Sequence, residues 1–219
     1  MNILHVDPSL LAVDKPANLA TIPGGWDAGE TSLLKLLEPE YGRLWVVHRL
    51  DKVTSGVVIF ARSAEAHRAL SILFEARAVS KTYRALVNGV PDWDNHTARH
   101  RLRPDMGHTH RTAIDHANGK AAATHFRMLD RLAGCSLLEA TPETGRTHQV
   151  RAHAAALGFP LLGDTLYGAP SSDLIARPAL HAWSLKFEFE GKPFSFTAPY
   201  PEDFGNALKQ GKDGLHGPR

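Results

Sequence analysis

The segment His48–Lys52 places one carboxylate, Asp51, among side chains that are cationic or can become so. It comes directly before Thr54-Ser55-Gly56, a turn-like sequence, and an apolar Val-Val-Ile-Phe run that is typical of a strand. Asp51 is either a turn residue that caps the local backbone and pairs with Arg49 or Lys52, or an ionised carboxylate that these neighbours stabilise. In the second case it could act as a nucleophile or a base.

Two later segments add an aromatic ring and further cations. Tyr83 lies in the alternating run Lys81–Val87, which is typical of a strand, and a tyrosine there is commonly a half-buried packing residue. The stretch from Glu143 to His153 is polar, and its Arg and His side chains could occupy the solvated face of a helix start. Two arginines and a glycine at a helix N-terminus also suit an anion such as phosphate, because free backbone N–H groups point outward there.

Short strands interspersed with a few helices must position these segments. Hydrophobic patterning predicts strands at residues 3–6, 10–13, 45–47, 57–61, 82–87, 124–129, 136–140, 183–189 and 194–197. Helices are expected at residues 33–37, 64–78 and 147–157, the first after Thr31 or Ser32 as a cap and the second after Ser63. Because the elements do not alternate strictly, the fold class is expected to be α+β, with a mixed, largely antiparallel sheet flanked by helices and loops. One domain is expected over residues 1–204, and residues 205–219 are expected to be a frayed tail.

The stretch from His96 to Arg111 is strongly basic. It contains four arginines and several interleaved histidines but only one acid, Asp105. The arginines are Arg99, Arg101, Arg103 and Arg111. Core packing does not explain this composition, and the alternate positions 99, 101 and 103 indicate one face of a strand or ribbon. The segment is interpreted either as a nucleic-acid-binding surface or as a solvated loop that keeps the protein soluble.

Length and composition exclude several classes of protein. With 219 residues, 43% of them hydrophobic and 22% charged, the chain can bury a hydrophobic core without disulfides or structural metal ions. Its single cysteine, Cys135, excludes an internal disulfide and a cysteine-rich zinc cluster. No apolar run reaches the roughly 20 residues that span a bilayer, and the N-terminus lacks the pattern of a signal peptide, so a cytoplasmic protein is expected. The formal net charge of +2 is too small to indicate a nucleic-acid partner by itself.

Together, the three segments resemble the RluA family of pseudouridine synthases. The motifs that carry the resemblance are His-Arg-Leu-Asp followed by Thr-Ser-Gly, then Lys-Thr-Tyr-Arg-Ala-Leu-Val, then Gly-Arg-Thr-His-Gln-Val-Arg-Ala-His followed by Gly-Asp-Thr-Leu-Tyr-Gly. Supporting matches lie at residues 13–16, 119–124 and 198–201, so the similarity runs from about residue 3 to about residue 204. Three blocks of this length in the family's order are far beyond a chance match.

The resemblance implies a catalytic domain over residues 1–204 that converts a uridine in ribosomal or transfer RNA to its C-glycoside isomer, without a cofactor or a metal. Asp51 then corresponds to the catalytic aspartate, Tyr83 to the tyrosine that stacks on the base, and Arg151 to the residue that pairs with the aspartate. The other residues expected to contact RNA are Arg49, Arg146, Arg99, Arg101 and Arg103. The target uridine must leave its stack to reach such a site.

Two other function classes compete with this interpretation. A non-catalytic RNA-binding protein on the same scaffold would keep the basic surface but would not need Asp51. A His-rich metalloenzyme is suggested by His108-Thr109-His110 and by His148 with His153, although no Cys or carboxylate lies at the usual ligand spacing. No phosphate loop or dinucleotide fingerprint occurs.

Some features of the expected enzyme stay open at this point. Strands of the core are predicted from Ile3 onward, so no extra N-terminal RNA-binding domain is expected, and neither a membrane nor an obligate protein partner is implied. The residues do not identify the RNA or the uridine that is modified. They also leave open whether Asp51 attacks the anomeric carbon or removes the 2′ proton.

Overall fold

The structure is a computed structural model that describes residues 1–24, 31–106 and 111–214. The strands are β1 (Asn2–Val6), β2 (Leu10–Lys15), β3 (Trp45–Val46), β4 (Ser55–Ala61), β5 (Ser80–Asn88), β6 (Asn95–Met106), β7 (Arg111–Ile114), β8 (Lys120–Arg131), β9 (Cys135–Pro142), β10 (Leu180–Phe189) and β11 (Lys192–Thr197). The helices are α1 (Leu33–Tyr41), α2 (Ala64–Glu75), α3 (Gln149–Ala156) and α4 (Glu202–Asp213), with a short 3-10 helix at Thr165–Tyr167. Each strand and helix predicted from the sequence is present, and the α+β class with a largely antiparallel sheet is confirmed.

Contacts divide the chain into two compact units. The first unit comprises Met1–Lys81 and Ala182–Pro199, and the second comprises Thr82–His181 and Tyr200–Arg219. Asp51 and Arg49 belong to the first unit, whereas the other predicted site residues belong to the second.

The first unit is built around β4. This strand pairs with β2 in the antiparallel register Lys15↔Gly56, and β3 pairs with the same strand. Every residue of β4 is buried, which explains the unbroken apolar run at residues 57–61. On this sheet α2 places Ala66 and Leu70 in one core cluster with Ile59. The loop that carries Asp51 therefore leads into the most deeply buried strand of its unit.

Serine side chains start α1 and α2, as the sequence predicts. Ser32 accepts a hydrogen bond from the amide of Lys35 at 3.3 Å, and Ser63 accepts one from the amide of Ala66 at 3.1 Å. Each bond satisfies one of the backbone donors that a helix leaves unpaired in its first turn.

The second unit has an antiparallel sheet with strand order β5-β9-β8-β6-β7. One face of this sheet carries small and aromatic core residues, among them Ala98 and Phe126, which pack against Val150 and Ala154 of α3. Strands β6 and β7 pair with each other and contain the described part of the basic stretch, which therefore forms a two-stranded ribbon there.

The C-terminal residues correct one expectation. Residues 205–213 are not a frayed tail, because they belong to α4, which buries Phe204, Ala207 and Gly211. Gly211 is close to its neighbours: an added Cβ would lie 3.1 Å from the Leu132 side chain and 3.3 Å from Sγ of Cys135. Residues 215–219 of the predicted tail lie outside the described residues. In the part of the chain that the structure describes, no helix is both long and apolar enough to cross a membrane.

Candidate active site

Asp51 lies in the loop that joins β3 to β4. Its side chain is half-buried, and its backbone carbonyl accepts a hydrogen bond from the amide of Thr54 at 3.0 Å, which closes a tight turn. Gly56 follows with a φ of 115°, and a Cβ there would lie 2.2 Å from the carbonyl oxygen of Ala182 in β10. Because only glycine allows this approach, the Thr-Ser-Gly sequence fixes where β4 starts and thereby where Asp51 sits before it.

Two buried side chains hold the backbone on either side of Asp51. The Thr21 hydroxyl donates to the carbonyl of Leu50 at 3.0 Å and accepts from its amide at 3.2 Å. The Lys15 side chain is fully buried, and its ammonium group donates to three backbone carbonyls, including that of Lys52 at 3.2 Å. Such charge-assisted bonds are stronger than neutral ones. Asp51 is therefore flanked by two anchored residues and has little freedom to move.

His48 anchors the same loop at its start. Its Nε2 atom accepts a hydrogen bond from the amide of Ile59 at 3.0 Å, and its ring stacks on Phe74 with 4.7 Å between centroids. Burial, with the nearby Lys81 charge, lowers the pKa of His48 to about 3. The imidazole is consequently neutral at physiological pH, so His48 supports the backbone rather than adding a cation beside Asp51.

Tyr83 lies on β5 and faces α3. Its half-buried ring packs against the core cluster that contains Ala85 and Val150. The next residue, Arg84, points to the opposite face of the sheet, where it forms an ion pair with Glu139. Strand alternation thus separates the aromatic ring from the neighbouring charge.

Arg151 is buried in α3 and forms a two-point ion pair that the sequence analysis did not anticipate. Its Nε and Nη2 atoms donate to the two carboxylate oxygens of Asp164 at 2.7 and 2.8 Å. The side chains of Arg151 and Asp164 are only 6% and 0% exposed. The expected pairing of Arg151 with Asp51 joins residues of different units and stays a prediction.

The Gly-Asp-Thr-Leu-Tyr-Gly motif places two side chains against Arg151. Asp164 and Tyr167 are three residues apart across the short 3-10 helix, where side chains at that spacing lie one above the other. Asp164 therefore meets the guanidinium edge, and the Tyr167 ring lies beneath its face with Cζ of Arg151 5.1 Å from the ring centroid. The turn requires glycine at position 163. Its φ is 71°, and a Cβ there would lie only 2.4 Å from the carbonyl oxygen of Arg177.

Gln149 organises the start of α3. Its Oε1 atom accepts from the Thr144 hydroxyl at 2.5 Å and from the Arg146 amide at 3.1 Å, while its Nε2 atom donates to Ala123 and Thr124 of β8. The side chain of Arg146 itself is half-buried. Sequence reasoning missed Gln149, although an amide buried beside a helix start is well suited to bond both donors and acceptors.

The arginines of β6 lie on the sheet face turned away from α3. Ala98 and Leu102 on the same strand are buried against α3 residues, so the alternate positions Arg99, Arg101 and Arg103 face solvent. Two of the three have acidic partners: Arg99 lies 3.6 Å from Glu143, and Arg103 lies 3.3 Å from Asp115. Arg49, in the Asp51 loop, and Arg111, at the start of β7, are also exposed.

Histidines that the sequence suggested as metal ligands have other partners in the structure. His153 contacts the Thr124 hydroxyl at 2.9 Å, whereas His148 contacts the Tyr167 hydroxyl at 3.2 Å. Within residues 1–24, 31–106 and 111–214, no three His, Cys, Asp or Glu side chains are grouped to hold a metal ion. His108 and His110 lie outside the described residues, as does the side chain of Asp105.

Comparisons with known proteins agree on one family. Residues 9–156 match the family model described as RNA pseudouridylate synthase. An "uncharacterized RNA pseudouridine synthase" of Mycobacterium bovis is 40% identical over 95% of this chain and 72% of its own length. "Ribosomal large subunit pseudouridine synthase D" of Zymomonas mobilis is 35% identical over 93% of this chain and 70% of its own.

A solved structure supports the same assignment. Human RNA pseudouridylate synthase domain containing 1 superposes with a TM-score of 0.78 at 28% identity, covering 91% of this chain and 83% of that chain. A similar fold alone would not assign a family, but here the fold is accompanied by a sequence match to the same family. The chain therefore belongs to the RNA pseudouridylate synthase family and is an RNA pseudouridine synthase of the RluA type.

Proposed function

We propose that Asp51 is the carboxylate that opens the reaction on a uridine in structured RNA. The observation that carries this proposal is the loop itself, in which Thr21 and Lys15 hold the residues before and after Asp51 while its side chain stays half-buried. A reacting group held in one geometry needs no further ordering when the substrate binds.

The reaction is an isomerisation, so every atom of the uridine is retained. The bond between N1 of uracil and C1′ of ribose breaks, a bond between C5 and C1′ forms, C5 loses a proton and N1 gains one. A carboxylate beside the ribose can begin this sequence by attacking C1′ or by removing the 2′ proton, and both routes require Asp51 to be ionised. The detached uracil must then turn while it is held in place.

Tyr83 is proposed to hold the uracil by stacking. Its ring is half-buried on β5 and packs against the core cluster that contains Ala85 and Val150, so this packing restricts the movement of the ring. Base stacking on an aromatic ring is worth about 1–3 kcal/mol. Its hydroxyl is proposed to remove the proton from C5, directly or through a base that it orients. We therefore expect Tyr83→Phe to keep RNA affinity within a few-fold, because the ring remains, and to lose most turnover, because the hydroxyl is gone. Full turnover in the Phe variant would assign Tyr83 to stacking alone.

Arg151 is proposed to orient Asp51, as the resemblance to the family implies. Arginine presents its N–H donors in a fixed fork, and Asp164 accepts one bond from Nε and one from Nη2. Arg151→Lys keeps a positive charge but not the fork, so it should recover only a part of the turnover that Arg151→Ala loses. Wild-type turnover in Arg151→Ala would remove Arg151 from the site.

The proposed substrate is large-subunit ribosomal RNA, with transfer RNA as the alternative. The support is the name of the Zymomonas mobilis relative, whose own substrate is stated in that name. Mapping pseudouridines in cells with and without the gene tests this directly. Loss of a ribosomal pseudouridine supports the proposal, and loss from transfer RNA alone contradicts it.

Arg99, Arg101 and Arg103 are proposed to contact phosphates of the same RNA, as Arg49 and Arg146 are in the two motif segments. The three β6 side chains are exposed on one sheet face, and Arg99 is 65% exposed despite its acidic neighbour. Each phosphate contact with single-stranded RNA adds about 0.7 to the slope of log affinity against log salt. Replacing all three by Gln should therefore flatten the slope by about two, and an unchanged slope would show that RNA does not reach this face.

A further inference from the structure

The hydroxyl of Tyr167 bonds the backbone of β7 at one residue. It accepts a hydrogen bond from the amide of Thr112 at 2.9 Å and donates one to the carbonyl of the same residue at 3.1 Å. β7 ends the strand order of its sheet, so its outer backbone groups lie on an edge. The hydroxyl therefore satisfies the N–H and C=O groups of Thr112 that a neighbouring strand would otherwise bond.

Two more bonds connect Thr112 and Tyr167 to the start of α3. The Thr112 hydroxyl donates to the carbonyl of Thr147 at 2.9 Å, and Nδ1 of His148 lies 3.2 Å from the Tyr167 hydroxyl. A phenol oxygen has one proton and can accept two hydrogen bonds. Since that proton goes to the Thr112 carbonyl, Nδ1 of His148 must carry the hydrogen that bonds the phenol oxygen. The hydroxyl therefore has its full set of partners.

The other end of the same side chain supports Arg151. The ring of Tyr167 lies under the guanidinium, 5.1 Å from Cζ, and Asp164 fixes the guanidinium edge from the adjacent turn. Burial raises the pKa of the Tyr167 hydroxyl, so it remains a protonated donor at neutral pH. One side chain thus touches both the edge of the basic ribbon and the arginine of the proposed site.

We propose that Tyr167 is a positioning residue that fixes the Arg151 side chain with its ring and ties it to β7 with its hydroxyl. The ribbon of β6 and β7 packs on α3 with one face and carries the arginines proposed to contact RNA on the other. The bond of Tyr167 to Thr112 therefore fixes where this RNA-contacting ribbon lies relative to Arg151. The catalytic part of this inference rests on the proposed function of Arg151. The structural part, the bond between Tyr167 and Thr112, does not depend on it.

Two substitutions separate the roles of the hydroxyl and the ring. Tyr167→Phe removes the bonds to Thr112 and His148 but keeps the ring under Arg151. Hydrogen exchange of the Thr112 amide should then become about tenfold faster, because its bond is worth about one net hydrogen bond. KM for RNA should rise several-fold while kcat stays within about twofold. Tyr167→Leu also removes the ring, and kcat should fall a further tenfold or more.

Tyr41→Phe is the matched control, since it removes a tyrosine hydroxyl at the end of α1, outside the proposed site. It should leave the exchange of Thr112 and both kinetic constants unchanged. If Tyr167→Leu does not fold, Tyr167→His tests the ring instead, because it leaves a smaller aromatic ring beside Arg151, and kcat should again fall below that of Tyr167→Phe. Thr112→Val tests only the link between β7 and α3, because it removes the bond to Thr147, and it should raise KM without lowering kcat.

Different results overturn different parts of the account. Unchanged exchange of Thr112 in Tyr167→Phe would overturn the link to β7, whatever the enzyme does to RNA. Equal kcat values for Tyr167→Phe and Tyr167→Leu would overturn the support of Arg151. A wild-type protein that isomerises no RNA would instead contradict the proposed function and leave the exchange result standing.

Discussion

Two ion pairs of the second unit have the same chemistry but different burial, so they form a matched experiment. Arg151 bonds Asp164 at two points, and Arg177 bonds Asp203 at two points, at 2.7 and 3.0 Å. The arginine side chains are 6% and 5% exposed, whereas the aspartates are 0% and 44% exposed. The two substitutions are Asp164→Asn and Asp203→Asn, each of which keeps the shape of the side chain and removes its charge.

The two substitutions should cost very different amounts of stability. Asp164→Asn leaves a buried guanidinium facing an amide whose NH₂ group is itself a donor, and losing one partner of a buried pair costs about 3–5 kcal/mol. Asp203→Asn should cost about 1 kcal/mol, because water reaches Asp203 and Arg177 also donates to the carbonyls of Pro178 and Leu180.

Urea denaturation at neutral pH, followed by circular dichroism, measures both free energies of unfolding. The exposed Asp173→Asn serves as a control for the chemical change alone and should be neutral. Equal losses at Asp164 and Asp203, or a loss below 1 kcal/mol at Asp164, would show that burial of the carboxylate does not set the strength of these pairs.

Three further predictions concern the supports of the site and the pH range of stability. Lys15→Met should destabilise the first unit by about 3 kcal/mol and lower turnover of the folded fraction, because the carbonyl of Lys52 loses its donor; wild-type kcat would contradict the anchoring of Asp51. Burial, with the nearby His100, lowers the pKa of His153 from 6.5 to about 4, so the neutral form is favoured in the folded state. Stability should be constant well above pH 6.5 and fall on going down to pH 5, by about 2 kcal/mol from His153 and a similar amount from His48, and a flat profile in denaturation at several pH values would refute this. Ser63→Ala should cost α2 about 1 kcal/mol, measured by thermal unfolding, and no change would mean that the bond to the Ala66 amide contributes nothing.

Local patterns predicted most elements because local physics decides them. The serine caps at positions 32 and 63 are visible as a polar side chain before an apolar helical repeat, and both act as caps in the structure. The alternate arginines of β6 are exposed as the period of a strand requires. These features depend on residues a few positions apart.

Helix α4 was missed because two glycines weaken its local signal. Gly205 and Gly211 lower its intrinsic helix propensity, although its buried residues Phe204, Ala207 and Gly211 recur at helical spacing. Tertiary packing decides the outcome, since Phe204 is fully buried and the absence of a side chain at Gly211 admits Leu132 and Cys135. Such packing cannot be read from the helix alone.

The supports of the candidate site were also beyond local reasoning. Lys15 lies 37 residues from the carbonyl of Lys52 that it holds, and Thr21 lies 29 residues from Leu50. Asp164 as the partner of Arg151 depends on a 3-10 turn that no periodicity in the sequence reveals. The sequence motifs therefore identified candidate residues through family resemblance, and the structure supplied the bonds that hold them.

The most direct test of the account is the amount of pseudouridine that the purified protein forms in RNA when Asp51 is changed. RNA from cells that lack the gene is incubated with wild-type protein, with Asp51→Asn, or with the exposed control Asp92→Asn, and pseudouridine is mapped along the strand. We predict that wild type and Asp92→Asn modify the same uridine, and that a folded Asp51→Asn binds the RNA but forms no pseudouridine. Turnover by folded Asp51→Asn within about tenfold of wild type, a loss of less than 1.4 kcal/mol in transition-state stabilisation, would contradict the assignment of Asp51 as the reacting carboxylate.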